Sequence, residues 1–263
     1  MRPPKDQDYE FHCTVFSLRS FWDFHQASVL LTAIEGVAAP DYYGEGDVIH
    51  SDYDRGEIRR WFRENQDPVE GRPSLELRRG TAPRYSISVN VGNGVHPHSV
   101  HLTSNLRHEA GELAKLFELA DAIADDAEVD FGSINLYRQG SAKAAQLVEG
   151  GTFENLGSYI HNGPSDVWAR TYFGLRLVAL AGNEAAFTGT LGKWRRLKSG
   201  VLVLDLDPAP WDRTPDELKA AQLGIAPTLK ARTGIFAVPD GNDFGDDVPG
   251  PRWEPPAGWL WPA

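Results

Sequence analysis

Cysteine is nearly absent from this chain: Cys13 is the single one among 263 residues. A disulfide framework and a cysteine-rich zinc site are therefore excluded. Cys13 lies inside the apolar run Phe11–Leu18, which marks it as a small core residue. Basic residues are also scarce, 26 against 37 acidic ones, for a formal net charge of −11. Such a chain is a poor binder of nucleic acid or anionic membrane, because phosphate attracts the opposite sign. A basic protein partner suits it, although acidity also serves solubility alone. Long apolar runs are missing. The most apolar windows, around Val29–Ala39 and Phe173–Ala181, are short and broken by Glu35 and Arg176, so no transmembrane helix is expected. The first ten residues, MRPPKDQDYE, carry no apolar stretch of the signal-peptide kind, and the cytoplasm is the expected location.

Signatures of catalysis are missing too. There is no G-x-S-x-G elbow, Walker loop, dinucleotide fingerprint or H-E-x-x-H. The stretch Asp240–Asp247 has the look of a calcium loop, but counting from Asp240 puts Phe244 fifth and Pro251 twelfth, with no bidentate glutamate. The reading is a non-enzyme without a cofactor. One alternative stays open. His96, His98 and His101 form the densest histidine cluster, with His108 shortly after. On a regular strand His96 and His98 share a face and His101 takes the other, so three converging ligands from one strand are disfavoured. A metal-dependent hydrolase would use His96, His98 or His108 with nearby carboxylates; a polar edge strand opened by Pro97 explains the same residues more simply.

What is present is a clear order of elements. Phe11–Leu18 reads as a strand, followed by a Ser20 cap and a helix over Phe21–Val37 that ends at Gly36 and Pro40. Ala39–Asp54 has no apolar period and reads as a long loop; Asp54 caps a short helix, Arg55–Asn65. Ser74–Arg79 is a strand. Tyr85, Ile87, Val89 and Val91 alternate with Ser86, Ser88 and Asn90, turn at Asn93-Gly94 and return over His98–Thr103. Glu109–Ala124 is an amphipathic helix and Val129–Tyr137 a strand. The second half offers a strand at Trp168–Tyr172, a helix at Gly174–Ala181, a hairpin of Lys193–Leu197 with Val201–Leu206, and a helix from Thr214-Pro215 shortened or kinked by Gly224 and Pro227. A last strand is expected at Ile235–Val238. The expected fold is α+β, a largely antiparallel sheet with helices on one face, in two βαββαβ-like halves at 1–150 and 151–238. The tail, 239–263, is expected to pack its tryptophans, Trp253, Trp259 and Trp261, on a single compact unit.

Two acidic stretches stand out as binding candidates. The first is the 41–54 segment, which joins Asp41, Glu45, Asp47, Asp52 and Asp54 to Tyr42, Tyr43 and Tyr53 without one basic residue. Tyrosine supplies rigid contact area and carboxylates steer a basic partner. The second is DAIADDAEVD, with Asp121, Asp125 and Asp126 near a helix C-terminus, where negative charge opposes the macrodipole by about 0.3–1 kcal/mol per group.

The ordered segments SLELRR, RYSISVNVG and HSVHL, then an amphipathic helix, VDFGSINLY, VWARTYFGLRLVALAG and SGVLVLDLDPAPWD, resemble the bacterial immunity proteins of polymorphic toxin systems, in particular the immunity protein 52 type and related α+β families. The resemblance spans residues 11–238 in order and texture. The helix at 55–65 and the acidic segment before it have no counterpart in that pattern. The resemblance implies a cytoplasmic, non-enzymatic protein that neutralises a cognate toxin by occluding it; the charge suits a basic toxin such as a nuclease. A phage or secretion-system structural component is the third reading.

Overall fold

The computed structural model describes residues 9–17, 24–46, 48–64, 74–90, 98–104, 110–138, 145–146, 159, 163–213, 215–236 and 256–259. Strands β1 (Tyr9–Ser17), β2 (Tyr42–Glu45), β3 (Val48–Asp52), β4 (Ser74–Arg79), β5 (Tyr85–Asn90), β6 (His98–Ser104), β7 (Val129–Arg138), β8 (Ala145–Gln146), β9 (Arg170–Phe173), β10 (Lys193–Arg196) and β11 (Leu202–Asp205) form one sheet. Its order is β10-β11-β9-β7-β1-β6-β5-β4-β2-β3, with β8 paired to β7, and every described pairing is antiparallel. Between the strands run helices α1 (Phe24–Ala38), α2 (Arg55–Glu64), α3 (Ala110–Asp126), α4 (Leu175–Leu180), the single turn α5 (Ala185–Thr188) and α6 (Pro215–Thr233), with a 3-10 turn at Pro210–Asp212. The expected α+β class and antiparallel sheet hold. Among the described residues no helix is long and apolar enough to cross a membrane.

The central strand explains the core. In β1 the residues alternate, so Phe11, Cys13 and Val15 share one face. Cys13 stands opposite Leu102 on one neighbour and Ile134 on the other. Phe11 meets Phe117 of α3 edge-on at 5.3 Å, which places α3 over that face. The buried side of α3, from Leu113 through Leu116, Phe117, Ala120 and Ile123, follows the helical period seen in the sequence. Cys13 is 2 % exposed, the small core residue expected. On the other face β5 and β6 present Ser86, Ser88, Asn90, Ser99 and His101.

The expected halves share this one sheet, because β9 pairs with β7. Adjacent residues of β9 face opposite ways. Tyr172 reaches Asp121 of α3, whereas Phe173 packs on Phe187 of α5, Trp194 and Phe236 at 5.0 to 6.0 Å. The chain after β9 therefore adds a layer on the face opposite α3. Trp168, Tyr172 and Phe173 are all buried, packing residues as the sequence suggested.

Several expectations change. The loop expected at 39–54 is the hairpin β2–β3, with a turn at Gly46 in the left-handed region, and β2 pairs with β4. It is an edge pair, half solvated and short, so it needs no run of alternating apolar residues to fold. Pro227 neither ends nor shortens the last helix, which runs to Thr233. Pro227 cannot bond the carbonyl of Leu223, but Leu223 is 61 % exposed, where water can serve that acceptor, and Leu218, Ile225, Ala226 and Leu229 hold the buried side. Ile235 and Phe236 are buried without forming a strand, and 237–238 lie outside the described residues. The expected Ser20 cap, the Asn93-Gly94 turn, the Thr214 cap and the tryptophans Trp253 and Trp261 also lie outside them. Trp259 is buried, edge-on to Tyr159 at 5.7 Å.

Gly174, between β9 and α4, donates its N–H to the Asp130 carbonyl at 2.8 Å. A Cβ there would stand 2.0 Å from the Val129 carbonyl oxygen and 2.9 Å from Asp130 Cα. Both obstacles are backbone of the central sheet and cannot swing aside. Gly174→Ala should cost about 3 kcal/mol, the upper part of the overpacking range, read as a lowered urea midpoint at unchanged slope.

Candidate partner-binding surface

The two ends of the acidic hairpin are tied to α1, α2 and the β4–β5 turn by hydrogen bonds, and the residues that hold it are partly the ones expected to bind. Asp54 caps α2: its Oδ1 accepts the N–H groups of Gly56 at 2.7 Å and Glu57 at 3.1 Å. Asp41 Oδ2 accepts those of Gly80 at 2.8 Å and Thr81 at 3.2 Å, tying the start of β2 to the β4–β5 turn. The Tyr53 hydroxyl donates to Glu35 of α1 at 2.6 Å; burial and that carboxylate push its pKa up, so it stays a donor. Arg55 pairs with the same Glu35 and donates to the Ser28 carbonyl at 2.9 Å and Thr32 Oγ1 at 2.7 Å. Tyr43 is half-buried against the core.

Asp41, Tyr53 and Asp54 are thus engaged within the fold. Of the expected set Tyr42, Glu45, Asp52 and Asp54 are exposed, Asp54 being also the α2 cap, and Tyr42 sits directly opposite Asp52 in the ladder. Asp47 lies outside the described residues. Glu35 and Arg55, which bolt the hairpin to α1, were missed as positioning residues. The signal for one was present: Glu35 is the charge that interrupts an otherwise apolar helix window.

The second acidic stretch divides similarly. Asp121 accepts from the Tyr172 hydroxyl at 2.9 Å, from Arg170 at 3.2 Å and from Arg195 at 2.8 and 2.9 Å. Arg170 also bonds Asp205 at 2.5 Å and lies over the Phe117 ring at 4.7 Å. Asp121 is accordingly part of an internal lattice. Asp125 Oδ1 accepts the Ser199 N–H at 2.7 Å and steadies the β10–β11 turn. Asp126 is half-buried; burial first, then Asp125, raises its pKa, against the pull of Lys198. Asp130 is fully buried, bonded by Arg176 at 2.9 and 2.5 Å and by the Tyr159 hydroxyl.

His98 is buried on β6, which lies between β1 and β5 inside the sheet and not at the expected edge, and burial lowers its pKa to about 4. The ring nitrogens of His101 lie 3.2 Å from Thr14 Oγ1 and 3.1 Å from Ser99 Oγ, and burial lowers its pKa as well. Both are neutral at pH 7. His96, His108 and the 240–247 loop lie outside the described residues. Among the described residues no three His, Cys, Asp or Glu side chains cluster as metal ligands.

No family model matches this chain, and no curated protein matches it either. Among solved structures, the fold is similar to that of the Pseudomonas aeruginosa T6SS protein PA0821, with a TM-score of 0.51 and 13 % sequence identity over 84 % of this chain and 77 % of that one.

Proposed function

We propose that this chain is a non-enzymatic immunity protein that binds a cognate bacterial toxin in the cytoplasm and neutralises it by occlusion. The observation that carries this reading is the β2–β3 hairpin: a sheet edge presenting Tyr42, Glu45 and Asp52, on a chain of net charge −11. Its anchoring to α1 through Glu35, Tyr53 and Arg55 keeps the ordering cost of association low. The fold likeness to a T6SS protein supports a secretion-linked setting. The partner would be a basic protein such as a nuclease toxin, with no direct contact to nucleic acid or membrane.

The first test is co-purification with the product of the neighbouring gene. The sharper one is the double variant Glu45→Lys/Asp52→Lys. These two carboxylates are exposed, so the fold should be retained by circular dichroism, while reversal at Asp41 or Asp54 would strip structural acceptors. Toxin affinity should fall roughly tenfold at low salt, mostly through a slower on-rate, and the deficit should shrink as salt screens the field. Unchanged affinity at low salt would remove the hairpin from the interface. A symmetric high-order assembly of the chain alone would favour the structural-component reading instead.

A further inference from the structure

The sheet is open, with β10 outermost at one end and β3 at the other. An edge strand carries N–H and C=O groups that no ladder uses, and charged side chains, lysine above all, commonly block pairing there. The two edges differ in this respect. β10 reads KWRR, three cations in four residues. β3 reads VIHSD, without lysine, arginine or proline. Among the described residues no strand pairs with its outer side.

The direction of the backbone at the end of β3 is fixed by one bond. The Tyr53 N–H donates inward across the hairpin to the Asp41 carbonyl at 2.9 Å. Successive residues of an antiparallel strand turn their N–H and C=O groups to opposite sides, so Asp52 points its own pair outward. The ladder skips His50, a bulge that bends β3 but leaves it paired with β2 on both sides.

The exposed side chains of the hairpin are divided between its faces. Tyr42 stands between Asp52 on β3 and Arg78 on β4, and these three share one face. Glu45 stands opposite Leu75, which is buried, so it belongs to the other face. A partner laid flat on either face would meet one carboxylate and miss the other, whereas a segment lying along the edge reaches both. Among the described residues no basic side chain pairs with Glu45 or Asp52.

We infer that the partner adds a strand to β3. An extended segment of the basic partner pairs with the outward backbone of Asp52 and carries a cation on each of its faces, one for Asp52 and one for Glu45. This rests on the protein-binding reading above and specifies its contact: backbone pairing holds the segment and the carboxylates select its charge. A second copy of this chain fits less well. Its β3 is equally acidic, and on its β10 Arg195 and Arg196 are already engaged by Asp121, Asp205 and Glu184.

The test follows hydrogen exchange at single amides of the isotopically labelled full chain. In the free protein the Asp52 amide should exchange faster than that of Tyr53; a slow Asp52 amide would overturn the open edge. Saturation with the co-purified product of the neighbouring gene should slow Asp52 roughly 100-fold and leave Trp194, on the opposite edge, unchanged. A complex that forms while Asp52 stays fast overturns strand addition and leaves the immunity reading standing. A second arm needs no toxin. The blocked hexapeptide acetyl-Val-Arg-Val-Thr-Arg-Val-amide should shift the Asp52 amide saturably, and its counterpart with glutamate for arginine should not. If that peptide pairs at Asp52 but the neighbouring gene product does not bind, the edge stands and the immunity reading falls; if neither affects Asp52, the edge is overturned. Protection that grows with the concentration of the chain alone assigns the edge to a second copy and overturns the basic partner. Among variants shown to be folded by circular dichroism, Asp52→Asn keeps the outward N–H and Asp52→Pro removes it. The proline variant should bind the gene product roughly tenfold more weakly than the asparagine one, and equal affinities overturn the backbone role.

Discussion

Arg170→Met is expected to cost about 4 kcal/mol of folding stability, and to do so without touching the apolar core. The Arg170 side chain is 9 % exposed and sits between Asp205, at 7 %, and Asp121, at 24 %. Its Nε holds Asp205, its Nη1 reaches Asp121 and the Phe117 carbonyl, and its plane covers the Phe117 ring. Methionine preserves the packing of the stem but leaves two carboxylates close together with only Arg195 between them. Asp205 is the more buried and suffers most. The companion variant Arg170→Met/Asp205→Leu removes the stranded charge as well, and should recover at least about 1 kcal/mol of the loss in a double-mutant cycle. Urea unfolding of the four proteins measures this. Additive losses would mean that Asp205 and Arg170 act independently, against the geometry.

Asp130→Asn should come second, at about 3 kcal/mol, or roughly 6–12 °C in melting temperature for a protein of this size. Asp130 is fully buried where β7 meets Gly174, and it binds Arg176 through both oxygens and Tyr159 through one. Burial and the adjacent carboxylate push the Tyr159 hydroxyl's pKa well up, so it remains a donor that asparagine can still satisfy. The loss falls on Arg176, whose guanidinium gives up its paired carboxylate. Its side chain is 18 % exposed and also bonds the Trp259 carbonyl at 3.2 Å, so it can turn partly to water, which places the cost at the low end for a broken buried pair. Because Trp259 stacks under the same guanidinium at 4.9 Å, its fluorescence should change in the folded variant. A melting temperature within 2 °C of the parent would show that Asp130 contributes little beyond shape.

The candidate surface was half legible. Asp54 before Arg55 announced its own role as a cap, because capping is a matter of local spacing. The roles of Asp41 and Asp121 were hidden, since their partners lie 39 and 49 residues away. An acidic residue reads as surface until the arginine or backbone N–H that faces it is known. The same distance problem concealed a cavity beyond the end of α3, whose walls come from α1, α3, β7, α4 and the β10–β11 turn. The 39–54 segment failed for another reason: an edge hairpin carries charges on an open side, and its alternation is masked by them.

By itself the chain of residues determined the local elements. Period-two alternation located β1, β4, β5 and β6, period 3.6 located α1 and α3, and the single cysteine excluded a disulfide within the chain. These are short-range properties of backbone geometry and composition. Only the tertiary structure decided that both halves share one sheet, through the pairing of Phe131 with Phe173, and which acids are consumed inside the fold. Those outcomes depend on contacts between residues far apart along the chain, where register and charge pairing are settled by the whole assembly of strands. Tyr42, Glu45 and Asp52 stay exposed along one edge of the sheet, whereas Asp41, Tyr53 and Asp121 are taken up by bonds within it.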